Sequence, residues 1–217
     1  IDGKIAEGRT DLEGKYVYLI PYGSDGAATD SALIEKNTFK LQGEPTADGL
    51  YALYLKDEGD EMMSRVGEAP FSAVFVLQKG EMQAVLDSFS YVTGTPENNA
   101  FKDIRSVLVD AQKNYMNLVS NVKEGELEAV KAKAKQLEDE MMAKVKAYIE
   151  ANPNKLTTAK LLTDFQFGLD EKTQEAALAK ADSAFMKFPG IKEIAEHLQA
   201  MKKVAVGQKF SDFEMVD

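Results

Sequence analysis

Val92-Thr93-Gly94-Thr95-Pro96-Glu97 marks the place where one kind of polypeptide gives way to another. Threonine can cap a helix, proline fits its first position, and glutamate suits the positive end of the helix dipole. Upstream, residues 1–95 hold eleven of the fifteen glycines and carry 8 Lys+Arg against 16 Asp+Glu, a net of −8. Downstream, residues 96–217 hold four glycines and carry 18 against 20, a net of −2. Frequent glycine means frequent turns and short strands, whereas scarce glycine with abundant Ala, Lys, Glu and Leu favours helix. The expected fold class is therefore α+β. An N-terminal antiparallel β-sandwich or small barrel comes first, and an all-α region with a long antiparallel helix hairpin follows.

Working upstream, Tyr16–Ile20 is β-branched and aromatic, bounded by Gly14 and Pro21. Residues 32–35 and 38–42 flank Lys36-Asn37, a two-residue turn signal in which Asn tolerates the left-handed conformation. Leu50–Leu55 reads as another strand, closed by the acidic stretch Lys56–Glu61. Ser72–Leu77 leads through Gln78-Lys79-Gly80 into Glu81–Val85, which reads as a second hairpin, and Val92 precedes Gly94. About seven short strands separated by turns fit a sandwich or a small barrel equally well.

Working downstream, apolar residues recur at Phe101, Ile104, Val107/Leu108, Ala111, Tyr115, Leu118/Val119 and Val122, spacings of three and four. After Gly125 a second run places Leu127, Val130, Ala134, Leu137, Met141, Val145 and Ile149 on one side. It stops at Asn152-Pro153, because proline cannot continue the hydrogen-bond ladder. A connection of one turn between two helices of about 38 Å predicts an antiparallel hairpin. The same stripes would also serve a dimer seam. Three shorter helices are expected: about Thr157 to Phe167, Asp170 to Lys187, and a last one with Ile191, Ile194, Ala195, Leu198 and Met201 on one face. The domains are thus 1–95, sandwich-like, and 96–204, helical, with 205–217 outside the helical pattern.

Composition narrows the chemistry. Cysteine is absent, so this stretch has no thiol nucleophile, disulfide or thiolate metal site. The formal charge is −10, which argues against nucleic acid as a partner. No run approaches the ~18 apolar residues of a membrane span. His197 is the single histidine and has no triad motif around it, so a solvated or locally bonded helix histidine is the simpler account. Asp57-Glu58-Gly59-Asp60-Glu61 gathers carboxylates, but their spacing departs from the calcium-loop pattern. Met62-Met63 and Met141-Met142 are adjacent thioethers, with Met141 in an ordinary apolar seam. Gly23-Ser24-Asp25-Gly26 lacks the Lys-Ser/Thr ending of a phosphate loop. No catalytic, cofactor-binding or metal-ligating residue is assigned, and no cofactor is expected.

The ordered series Asp30–Gly43 (DSALIEKNTFKLQG), Phe75–Gly80 (FVLQKG) and Val92–Asn99 (VTGTPENN) resembles an N-terminal domain of unknown function. That domain and a helical region precede the thioredoxin-like domain, of the alkyl hydroperoxide reductase/thiol-specific antioxidant type, in exported thiol–disulfide oxidoreductases of certain Gram-negative bacteria. Asn152-Pro153 is similar to a motif in the family's helical region. Val206–Phe213 (VGQKFSDF) is similar to the opening phrase of its redox domain. The resemblance implies a β-sandwich-like domain, a helical linker region, and residues 205–217 as the start of a linker into a thioredoxin-like domain expected in cis after Asp217. It also implies export to the periplasm or cell envelope, which a start at Ile1 suits. The family's chemistry runs through a Trp-Cys-x-x-Cys site, which this chain does not contain, so no catalytic residue carries over.

The expected role is that of a non-catalytic N-terminal region that positions a redox domain, selects partners or dimerises. The alternative is an independent ligand- or protein-binding β-sandwich on a helical stalk, with Tyr51 and Tyr54 supplying contact area. Protein partners or self-association are expected in either case.

Overall fold

The computed structural model describes residues 1–24, 27–45, 48–55, 71–120, 122, 125 and 127–204. The acidic stretch 57–61, Met62-Met63 and the tail 205–217 lie outside them. The chain divides into two compact units, residues 1–145 and 146–217. The division falls within a helix, later than the strand-to-helix change near Gly94.

The first unit opens with β1 (Asp2–Ile5), a short 3-10 turn (Thr10–Leu12), β2 (Tyr16–Pro21), β3 (Asp30–Leu33), β4 (Thr38–Lys40) and β5 (Gly49–Leu55). Then come β6 (Ser72–Leu77), β7 (Gln83–Leu86) and β8 (Tyr91–Thr93). They form two four-stranded sheets, ordered β4-β1-β7-β8 and β3-β2-β5-β6, with no closed barrel. Ile5, Phe39, Ala84, Leu86 and Val92 of the first sheet and Val17, Leu19, Leu53, Leu55 and Phe75 of the second share one buried cluster, so the module is a two-layer sandwich. Alternation along each strand sends every second side chain into that layer.

Two details differ from the sequence expectation. β1 pairs with β7 in parallel, Asp2 opposite Gln83 through Ile5 opposite Leu86, while the other strand pairs are antiparallel. The two turns read as hairpins are instead corners between the sheets. Lys36 and Asn37 adopt φ of 52° and 58°, and Glu35 and Thr38 exchange both backbone bonds, as a tight two-residue turn requires. Yet β3 continues onto β2 and β4 onto β1. Likewise β6 pairs with β5, and β7 with β1 and β8. Local turn chemistry is the same for a hairpin and for a corner; the partner strand decides. β1 itself fits its place through Gly3, opposite Phe39, where a Cβ would stand 2.0 Å from the ring's Cζ.

Helix α1 (Pro96–Ser120) begins as its sequence predicts: Thr95 is the cap, and Asn98 N–H donates to its Oγ1 at 3.3 Å. The helix packs on β6 and β8. α2 (Leu127–Ala151) follows. Along these helices, no described side chain between Ile104 and Val145 is buried. Leu108, Ala111, Leu118, Val130, Ala134, Leu137 and Met141 are half-buried, so the expected stripes are present but incompletely covered.

The second unit holds the end of α2, then α3 (Leu156–Asp164), α4 (Glu171–Leu178), α5 (Ser183–Met186) and α6 (Ile191–Val204). Leu161, Leu162, Ala177, Phe185, Ile191, Ile194 and Leu198 are among its buried apolar residues. The helix expected from Asp170 to Lys187 is two, separated by a break at Lys180–Asp182. Asp182 starts the second by accepting from the N–H groups of Ala184 and Phe185, both at 2.9 Å. Asn154, at φ 59°, clamps the break: its Nδ2 donates to Asp182 Oδ2 at 2.9 Å and its Oδ1 accepts from Asp182 N–H at 2.7 Å. The Asn152-Pro153-Asn154 turn therefore both stops α2 and sets where α5 begins.

Candidate functional surfaces

His197 lies exposed on α6 with no hydrogen-bond partner among the described residues. Among those residues no three His, Asp or Glu side chains gather to hold a metal ion. Ser24 folds back on its own turn, its hydroxyl donating to Pro21 O at 2.8 Å. Met141 and Met142 sit half-buried on α2.

The perturbed ionisable groups have local causes. Asp170 is held down at about 2, first by the Lys146 ammonium 2.8 Å away and then by Thr173, whose N–H it caps at 2.9 Å. The same contact raises Lys146. Asp182 is lowered first by the Phe185 N–H and then by Asn154. Asp11 is lowered by its ion pair with Arg9, whose guanidinium stacks 4.5 Å over Phe71. Lys135 is raised by Asp139 one turn on. Helix caps and surface ion pairs account for all five, so none marks a reactive centre. Every buried side-chain nitrogen or oxygen among the described residues is hydrogen-bonded.

Asn98 is the polar side chain most deeply built into the first unit, at 1% exposure. Its Oδ1 accepts from Val76 N–H at 2.8 Å and its Nδ2 donates to Val76 O at 2.8 Å. β6 ends its sheet, so its outward backbone groups have no strand to pair with, and the carboxamide takes the place of one. Next to it Asn99 Oδ1 accepts from Gly94 N–H at 3.0 Å. Arg105, nearly two turns further on, donates to Ser90 O at 3.0 Å with Phe89 against its guanidinium, and Lys102 lies over Tyr91. The start of α1 is thereby fixed to both sheet edges. Sequence reading placed the helix start but missed Asn98, because an asparagine near a helix N-terminus looks like any cap residue.

Two surfaces group exposed apolar side chains among the described residues. On the outer face of the second sheet, Tyr18 sits opposite Tyr54 with ring centroids 5.6 Å apart, and Tyr16 lies 6.4 Å from Tyr18. Tyr16 is 47% exposed, and its cross-strand partner Leu33 is exposed beside it. Tyr54 belongs to this patch. Tyr51 does not, since three residues along a strand reverses the face and it packs on the sandwich core. The second surface is the under-covered stretch of α1 and α2. It supplies half of the exposed large apolar side chains among the described residues: Val107, Tyr115, Met116, Val122 and Leu127. No described helix is long and apolar enough to cross a membrane, so neither surface is part of a helical span.

A search of curated proteins and a search of solved structures found no match to this chain. A family model does match, and its span ends at the second turn of α1, taking in both sheets and the Asn98 clamp. Residues 1–101, just under half of the chain, match the family model described as Domain of unknown function (DUF4369).

Proposed function

We propose that this chain is the non-catalytic N-terminal region of a cell-envelope thiol–disulfide oxidoreductase. The sandwich and its helices position a thioredoxin-like domain that follows Asp217, select its partners, or pair one molecule with another. The observation that carries the proposal is the match of residues 1–101 to the domain of unknown function that, by the resemblance given above, precedes such redox domains. The phrase Val206–Phe213, similar to the opening of those domains, supports the same order. The division of labour is physically reasonable. Thiolate exchange needs a low-pKa cysteine, and a chain without cysteine contributes geometry rather than chemistry. An envelope location is part of the proposal.

The test is the coding sequence downstream of Asp217. A Trp-Cys-x-x-Cys motif within the next domain length is expected. A stop codon, or a domain without that motif, overturns the redox assignment. The second reading, an independent binding module, is favoured by the Tyr16–Tyr18–Tyr54 patch, since large rigid aromatics on an exposed sheet face suit protein or ligand contact. It predicts a stop codon soon after Asp217 and a ligand whose binding raises the melting temperature.

A further inference from the structure

We infer that α2 pairs with α2 of a second copy of this chain, antiparallel about a two-fold axis, along Leu127–Lys144. The inference deepens the self-association part of the function proposed above. If it fails, the downstream-sequence test is untouched, and if that test fails, the pairing still stands.

Coverage gives the first reason. Between Ile104 and Val145 two long helices run without one buried side chain among the described residues. Helices gain most of their stability from packing an apolar face, and these leave theirs half-covered, with Leu127 55%, Met116 54% and Tyr115 46% exposed.

Charge gives the second reason and selects the occupant. Spacing along α2 puts Leu127, Ala134 and Met141 in one heptad column and Val130, Leu137 and Lys144 in the other. Antiparallel self-pairing sets Ala134 of one copy against Leu137 of the other, Val130 against Met141, and the Leu127 side chain against the Lys144 stem. Small then meets large in the central layer. In that register the flanking columns place Lys133 opposite Glu140 and Lys131 opposite Glu138, each twice by symmetry. All four side chains are exposed; Lys133 has no ion-pair partner among the described residues, while Lys131 pairs within its own helix with Glu128 at 2.9 Å and Glu140 accepts from Gln136 at 2.8 Å, local contacts that the partner helix would share or replace. The matching flanks of α1 carry Val107, Gln112, Asn114 and Val119, which offer these charges nothing. Its Arg105 is engaged with Ser90 and Phe89. The charges on α2 thus complement another α2. A parallel pair would bring Lys144 against itself in the seam, which disfavours that orientation.

The experiment is sedimentation equilibrium of the 217-residue chain at micromolar concentration, with circular dichroism to verify that each variant is folded. The expected mass is twice the 23.9 kDa of one chain. Lys131→Glu with Lys133→Glu should weaken the dimer at least tenfold, as should Glu138→Lys with Glu140→Lys. Mixing those two variants should restore association, because every flank then meets its opposite. Lys133→Glu with Glu140→Lys in one chain exchanges the charges of one antiparallel pair and should return the dimer to within about threefold of the original. A monomeric chain overturns the inference, whether or not a different protein binds the helices. So does a dimer indifferent to the reversals, or one that the Lys133/Glu140 exchange weakens, as a parallel pair would require.

Discussion

Replacing Asn98 tests how the sandwich is closed at β6. Its carboxamide is buried and makes two bonds of 2.8 Å to the backbone of Val76, itself fully buried. Asn98→Ala removes both bonds and leaves a backbone donor and acceptor without partners. At ~1–3 kcal/mol for each buried group left unsatisfied, the loss from the two is about 2–6 kcal/mol, the lower end applying if water enters the vacated space. Asn98→Asp separates the two bonds. A carboxylate still accepts from Val76 N–H but turns its other oxygen on Val76 O, so at pH 7 it should cost at least as much as alanine. Protonation restores a donor. The native state then holds that proton more tightly than the unfolded chain, whose carboxyl titrates near ~3.9. A raised native pKa means that the missing stability returns below the unfolded value and is lost again as pH rises through the native one. The assay is urea unfolding followed by tyrosine fluorescence, since six of the eight tyrosines lie in the strand region and there is no tryptophan. An alanine variant within about 0.5 kcal/mol of the parent, where an ordinary surface change would fall, refutes the edge-closing role. An aspartate variant with the same deficit at pH 7 and pH 4 refutes the bond assignment.

Three further outcomes follow from the same geometry. Gly3→Ala forces a methyl into the Phe39 ring and should cost about 1–3 kcal/mol in urea unfolding, with Phe39→Leu in the same chain recovering part of the loss. Asp170→Ala removes the α4 cap and should destabilise the second unit by ~1 kcal/mol at pH 7. Because the native carboxyl sits at about 2, that stabilisation is complete above the unfolded carboxylate range and is lost as pH falls through about 2, so parent and variant melting curves should converge in acid. Asn154→Gly keeps the left-handed turn but loses the Asp182 clamp, whereas Asn154→Ala loses both. Thermal melts should therefore rank the parent above glycine and glycine above alanine, with about 1–2 kcal/mol across the series.

What could be read from the chain before its structure divides along a physical line. Thr95-Pro96, Asp170 and the β-branched run of β2 state their roles locally, through capping chemistry and propensity, and they stand where expected. β1 was missed because Asp2-Gly3-Lys4-Ile5 is short, contains glycine and lacks β-branched residues until its end; pairing on both sides makes it a strand. The corners at Lys36-Asn37 and Gln78–Gly80 carried the right turn residues, but which sheet receives the next strand depends on partners far along the chain. The break before α5 needed Asn154, 28 residues away from Asp182. For the functional surfaces, periodicity identified the stripes on α1 and α2 but not how little of them the chain itself covers. Strand alternation alone was enough to separate Tyr51 from Tyr54.

The proposed division between scaffold and chemistry is tested most directly by insulin reduction, using the proposed longer oxidoreductase with and without residues 1–217. Under that proposal, deleting the region leaves kcat within about twofold. Loss of kcat by a hundredfold or more in a deletion that remains folded would place part of the catalytic machinery inside these residues and contradict the account.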